Sequence, residues 1–322
     1  VSDAELDRGY DIIGDVHGCA HTLERLLEQM GYRRLNGVWQ HPRRQALFLG
    51  DIIDRGPRIR EALHLVRDMV EAGHARCIMG NHEFNAICWE TPAPPGSGRS
   101  YLREHTERHH RLIGDTLAQF DPWPQEWREF VQWFGDLPLF LDMGPFRLVH
   151  ACWDSSLIEP LRQDYPDGRI DDEFLIASAH WGSFPAQTLD RLLRGTDMRL
   201  PHGITMTGKD GFTRAFFRTK FWEEAPETYG DVVFQPDALP EPVAEKPLTE
   251  QQKAELMIYQ PHDPLLFVGH YWQQGTPQPI RPNLACLDYS AVKYGKLVAY
   301  RWSGETRLER DHFVWVEVPQ MS

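Results

Sequence analysis

Five times along this chain an apolar run breaks into a short polar loop, and that rhythm constrains the fold more than any other feature. Tyr10-Asp11-Ile12-Ile13 leads into Gly14-Asp15-Val16-His17-Gly18, and Gln45-Ala46-Leu47-Phe48-Leu49 into Gly50-Asp51-Ile52-Ile53-Asp54-Arg55-Gly56. Arg76-Cys77-Ile78-Met79 leads into Gly80-Asn81-His82-Glu83, Phe146-Arg147-Leu148-Val149 into His150-Ala151, and the run 265–268 into Gly269-His270. Each run reads as a short buried strand. After the first two loops the apolar period changes: Leu23, Leu26 and Leu27, then Ala62, Leu63, Val66 and Met69 or Val70, fall on single helical faces. A third helix is expected to begin near Glu83. Strand, loop and helix in alternation imply adjacent, mainly parallel strands with helices packed against them. In such sheets functional groups collect in the loops beyond the strand ends.

The pattern breaks at 91–124 into Pro, Gly, His and charged residues, which reads as an insertion with its own helix over 101–117, lying above the sheet. Turn residues 142–145 between the apolar runs 137–141 and 146–149 predict an antiparallel hairpin. Strands resume at 265–268, 284–287, 296–301 and 312–318, where the sheet is expected to be mixed or antiparallel. A second insertion, about 195–260, contains a hairpin (204–207 and 212–219) closed at Asp210-Gly211 and a stiff Pro-rich connection at 235–242. At 322 residues, one α/β domain over 1–322 carrying both insertions fits the length.

The formal charge of −13 argues against a long nucleic acid partner, since Lys and Arg contacts to phosphate supply most non-specific affinity. It does not argue against a small phosphorylated molecule, because metal ions would set the local field. Five cysteines, odd in number and without a Cys-x-x-Cys pair, suit a reducing compartment. Residues 1–8 are polar and acidic, unlike a signal peptide, and no segment approaches the roughly 18 apolar residues of a membrane span. A cytoplasmic protein with no membrane partner is the expectation.

The loop residues suggest two divalent cations. Asp15 and His17, two apart, project to one side of an extended backbone and can hold one ion. Asp51 has two carboxylate oxygens and is the natural bridge. Asn81, His150 and His270 would complete the second ion. Mixed nitrogen and oxygen donors without thiolate suit Mn, Fe, Zn or Co better than Ca. Two such ions can share a water, lower its pKa and clamp phosphoryl oxygens during in-line displacement, so the expected nucleophile is a bridging hydroxide. His82, next to a ligand, is assigned as general acid, with Asp54 holding its ring. Arg55 offers a planar fork for phosphate oxygens. Trp153, Trp181, Trp272 and Trp302 read as core, with Trp272 able to wall a pocket. Cys152 reads as a packed residue, and His105, His109 and His110 as a solvated helix face.

These motifs resemble the phosphoprotein phosphatase family of calcineurin-like metallophosphoesterases, whose pattern is GDxHG, GDxxDRG, GNHE, a later HAG and a later GH. The bacterial branch related to diadenosine tetraphosphate hydrolases and small serine/threonine phosphatases is the most similar. Two departures stand out: His150-Ala151-Cys152-Trp153 replaces HAG, and Gly269-His270-Tyr271-Trp272 replaces the frequent GHT. The resemblance implies an α/β fold, an αββα sandwich of two mixed sheets, with ligands Asp15, His17, Asp51, Asn81, His150 and His270. It implies manganese first among Mn, Fe, Zn, Co and Ni, and Asp54, Arg55 and His82 around the phosphate. It also implies a second phosphate-binding arginine, for which Arg194 comes first, ahead of Arg214 and Arg218. The substrate would be a phosphorylated small molecule, such as a dinucleoside tetraphosphate, or a phosphoprotein. The rivals are a non-catalytic phosphate-binding scaffold and a phosphodiesterase acting on cyclic or nucleic-acid ends.

Overall fold

Period-two alternation in the apolar runs lets each strand bury both faces, and two sheets result. The computed structural model describes residues 8–234 and 239–319. Most of the polar start at 1–8, and 235–238 of the Pro-rich connection, lie outside them.

In the first sheet the spatial order is Asp288–Tyr289, Lys296–Trp302, Gly9–Ile13, Arg44–Phe48 and Ala75–Cys77, with Phe313–Glu317 also paired to Lys296–Trp302. Gly9–Ile13, Arg44–Phe48 and Ala75–Cys77 are mutually parallel, and Lys296–Trp302 runs antiparallel to Gly9–Ile13. The second sheet orders Leu284–Cys286, Leu265–Val268, Phe146–Val149 and Phe140–Asp142, the first three parallel and the last antiparallel. Both sheets are mixed, as expected.

Tyr10, Ile12 and Leu47 of the first sheet share a core with Phe146, Leu148, Leu265 and Phe267 of the second. Rings meet across this layer: Tyr10 to Phe146 at 5.7 Å, Phe146 to Trp302 at 4.8 Å and Phe267 to Tyr300 at 5.0 Å. The alternate residues Ile13, Ala46 and Phe48 face outward, into a core with Leu23, Leu26, Ala62, Leu63 and Val66 of the helices Ala20–Gln29 and Ile59–Glu71. Val149, Leu266 and Val268 do the same with Leu189, Leu192 and Leu193 of Phe184–Arg194. The αββα sandwich follows from this division of each strand between two cores.

The first insertion departs from expectation. Its helix is Glu107–Phe120, not 101–117, because Thr106 caps it by accepting from the His109 backbone N–H. His105 therefore precedes the helix and stacks between Trp89 and Tyr101, 3.7 and 4.0 Å from their ring centres. The helix leans on the Asp54 loop: the Gln119 side chain accepts from Ile59 N–H at 2.6 Å and donates to the Gly56 carbonyl at 2.9 Å. In the second insertion the expected hairpin forms between Met206–Thr207 and Thr213–Arg214, and an unforeseen ladder between Thr196–Arg199 and Phe216–Thr219 extends it. Leu200, Phe217, Tyr229, Val232 and Val243 give this region a small core of its own.

Trp153 and Trp302 are core and Trp272 is half-buried, but Trp181 is 99% exposed. It occupies a turn just before Ser183 caps Phe184–Arg194. All five cysteines are buried and unpaired. No helix among the described residues is long and apolar enough to cross a membrane.

Candidate metal and phosphate site

Three parallel strands from each sheet end at one edge, and their loops are laced together. Val16 and His17 N–H donate to the Asp51 carbonyl at 3.1 and 2.9 Å, Gly18 N–H to Ile52 at 2.8 Å, and Gly269 N–H to His150 at 2.8 Å. His17, Asp51, Asp54, Arg55 and His270 all have left-handed φ, between 42° and 72°. Non-glycine residues adopt this region at a cost and keep it only where the surroundings dictate it, commonly at functional sites. Two glycines admit ligand carboxylates: a Cβ on Gly80 would collide with Asp51 Oδ1, and one on Gly269 with Asp15 Oδ1.

Glu83, to which the sequence reading gave no role, is fully buried. Its Oε1 accepts from Asp51 N–H at 2.6 Å and Gly80 N–H at 3.0 Å, and its Oε2 from Ile52 N–H at 3.1 Å. It locks the Asp51 loop to the start of the helix Asn81–Glu90. A glutamate three residues after the N-cap Gly80 is the sequence signal for this arrangement.

The six expected ligands come together. His17 Nδ1 lies 2.7 Å from the Ile53 carbonyl and His150 Nδ1 2.7 Å from the Leu49 carbonyl. A carbonyl only accepts, so both Nδ1 atoms carry hydrogen and both Nε2 lone pairs are left facing inward. They face Asp51 Oδ2, at 3.6 Å from His17 and 3.2 Å from His150, with His82 Nε2 at 3.9 Å. His150 Nε2 also lies 2.9 Å from Asn81 Oδ1, and His270 Nδ1 3.2 Å from the same oxygen. Asp51 thus belongs to two triads with donor atoms within 4.8 Å of one another, one with His17 and His82, the other with Asp15 and His150. Burial lowers the His150 pKa, but the charge and hydrogen bond of Asp51 outweigh it and raise it, so Asp51 Oδ2 draws positive charge, as a proton on that ring or as a cation between the two.

Asp15 Oδ1 and His270 Nε2 are buried without a hydrogen-bond partner among the described residues. Burial, then the charges of Asp288 and Asp51, hold Asp15 well above the usual carboxylate range. Burial, then His82, pushes His17 down to about 4, and burial, then Arg218, holds His270 well below the ordinary imidazole value. Asp51 runs the other way: burial opposes its ionisation, but His150, His82 and His17 draw it well below the usual range. A divalent cation would offset the cost of ionising Asp15 and accept the imidazole lone pairs, so the donor set fits such ions.

His82 Nδ1 is 2.6 Å from Asp54 Oδ2. Asp54 is fixed in turn by one hydroxyl: Thr116 donates to Asp54 Oδ1 at 2.5 Å and accepts from Asp54 N–H at 3.1 Å. Burial lowers the His82 pKa, but the Asp51 charge and the Asp54 hydrogen bond outweigh it and raise it above the ordinary value. Thr116 comes from the first insertion, which the motifs do not reach.

Above these groups lies a cavity of about 400 Å³ lined by Arg55, Arg103, Arg108, Arg111, Arg194 and Arg218, with Asn81, His82 and His270 also on its wall. Arg194 is aimed by Asn85, whose Oδ1 accepts at 2.6 Å. Arg214 turns instead to Asp210 on its own hairpin and does not line the cavity. Trp272 does not line it either. Arg103, Arg108 and Arg111 are the arginines that sequence reasoning missed, because only the folded insertion brings them here.

The calcineurin-like phosphoesterase family model matches residues 10–200. Among curated relatives, the bis(5'-nucleosyl)-tetraphosphatase PrpE [asymmetrical] of Oceanobacillus iheyensis is 51% identical over 73 residues, 22% of this chain and 29% of that protein. The PrpE of Anoxybacillus flavithermus is 42% identical over 150 residues, 44% and 56% of the two chains. The chain therefore spans about half or less of the length of these relatives. A protein serine/threonine phosphatase from Saccharomyces cerevisiae with similarity to human PP5 shares the fold, at 14% identity and a TM-score of 0.52 over 99% of this chain and 82% of that one. With a match to residues 10–200 that covers more than half of its length and takes in the loops of Asp15, Asp51, Asn81 and His150, though not that of His270, this chain belongs to the calcineurin-like phosphoesterase family.

Proposed function

We propose that this protein is a metal-dependent phosphoesterase that hydrolyses a phosphate ester or anhydride, with a dinucleoside polyphosphate as its substrate class. The single observation carrying the reading is the Asp51 carboxylate, met by three imidazole Nε2 atoms at 3.2 to 3.9 Å, one of them from His82, which lines an arginine-rich cavity. Asp15, His17, Asp51, Asn81, His150 and His270 would hold two divalent ions, manganese first among the candidates. When bound, such ions supply an acidified water and positive charge for the phosphoryl oxygens.

The chain's own residues do the rest. His82, held through Nδ1 by Asp54, keeps an Nε2 proton available for the leaving oxygen. Arg55 and Arg194 orient phosphate oxygens through paired N–H donors, and Arg218 adds a third guanidinium. The names of the PrpE relatives favour a nucleoside polyphosphate over a phosphoprotein, and five buried, unpaired cysteines support a reducing, cytoplasmic setting. The test is turnover by the manganese-loaded chain of diadenosine tetraphosphate against a phosphoserine peptide. A rate ratio well above one is expected. A ratio in favour of the peptide overturns the substrate class, and no turnover of either with metal bound overturns the activity.

A further inference from the structure

The cavity carries more positive charge than a single phosphate can use. A phosphoryl group bears about two negative charges, whereas six arginines line the cavity of a chain whose formal charge is −13. Among the described residues Arg55, Arg103 and Arg218 form no ion pair, and burial followed by the charge of Arg194 pushes Arg103 down to about 10. Like charges held together in this way are stabilised by an anion of matching extent.

On one side of this cavity the two insertions meet. Arg108, from the first, lies 3.4 Å from Asp210 of the second, and its guanidinium carbon is 4.5 Å from the centre of the Phe212 ring. Asp210 also pairs with Arg214, and it is the one carboxylate lining the cavity among the described residues. It sits where a ligand anion would.

We propose that the side of the cavity formed by the first insertion is a subsite for the further phosphates of a polyphosphate chain, bound by Arg103 and Arg108 with Asp210 as the internal counter-ion that the ligand displaces. This rests on the phosphoesterase reading only in placing the first phosphate at the metal loops. Phe212 holds Arg108 in place, so the donor is oriented before the ligand arrives.

The experiment is calorimetric binding of inorganic tripolyphosphate and orthophosphate to the metal-loaded full chain, with free metal buffered to a constant concentration. Wild type is expected to bind tripolyphosphate at least about tenfold more tightly, as one or two added charge-assisted contacts imply. Arg108→Ala should remove most of that preference while changing orthophosphate affinity less than about twofold, and Asp210→Asn should widen it. Equal affinity for the two anions in wild type, or equal weakening of both by Arg108→Ala, overturns the subsite. Failure of the hydrolytic reading registers separately, as tripolyphosphate preference in a chain that turns over no phosphate ester.

Discussion

Asp11 and Asp15 stand four residues apart, the first on the strand Gly9–Ile13 and the second just beyond it, and both are buried. Asp11 is enclosed by donors: Arg44 Nε at 3.0 Å, Arg301 Nε at 2.9 Å and the Tyr32 hydroxyl at 2.8 Å. Those arginines go on to donate to the carbonyls of Tyr10, Trp302 and Met30. Asp15 has no such enclosure: its Oδ2 accepts from His270 N–H at 3.4 Å and lies 4.0 Å from His17 Nε2, its carboxyl faces that of Asp288, and its Oδ1 has no hydrogen-bond partner among the described residues. The first cluster is closed by cationic and hydroxyl donors; the second sets carboxylates beside one another with one oxygen left unpartnered among the described residues. A buried polar group that lacks partners is costly, so its retention beside five left-handed residues marks a site, whereas the satisfied cluster marks structure.

Exchanging one group in each cluster should separate the two roles. Asp51→Asn is expected to lower kcat/KM on the order of 10^4-fold, several kcal/mol of transition-state stabilisation, and to lower bound metal by elemental analysis. Its urea midpoint should stay near that of the metal-free wild type. Full metal occupancy with a lowered midpoint would erase the contrast. His82→Asn comes next. Loss of a general acid costs on the order of 10^3-fold, felt on alkyl phosphates and much less on p-nitrophenyl phosphate, whose leaving group needs no proton. Equal losses on the two esters would remove His82 from that role.

Asp11→Ala should do the reverse of Asp51→Asn. Removing one partner of a buried ion pair leaves uncompensated charge and destabilises by about 3–5 kcal/mol, readable in urea unfolding. The rate per folded molecule at saturating substrate should not change. A fall in kcat without a fall in stability would mean that the far end of the strand is coupled to the site.

Much of this division could be read before folding, because the ligand loops are local. Each apolar run predicted its strand, and the side chains that follow it had few places to go. The sandwich was less legible: that Phe146 meets Tyr10 and Trp302 depends on how two sheets face one another, which no local period encodes. Arg103 and Thr116 were hidden for the same reason, as members of an insertion whose value lies in where it lands. Its helix start was misplaced because 101–106 has helical composition while His105 is drawn off to stack between Trp89 and Tyr101. Trp181 was assigned to the core by residue type, yet a turn leaves it in solvent.

Thr116 falls between the two clusters and makes the finest test of the distinction. Its hydroxyl both donates to and accepts from Asp54, so it is satisfied like the Asp11 cluster yet acts on the residue that holds His82. Thr116→Val keeps the shape and removes both hydrogen bonds, at a cost of about 1–3 kcal/mol in unfolding free energy. Thr116→Ser should recover most of it. If Thr116 belongs to the site, the valine variant also loses part of the rate difference between alkyl and p-nitrophenyl phosphates that depends on His82, and serine restores it. Lost stability with an unchanged leaving-group dependence would place Thr116 with Asp11, as structure alone.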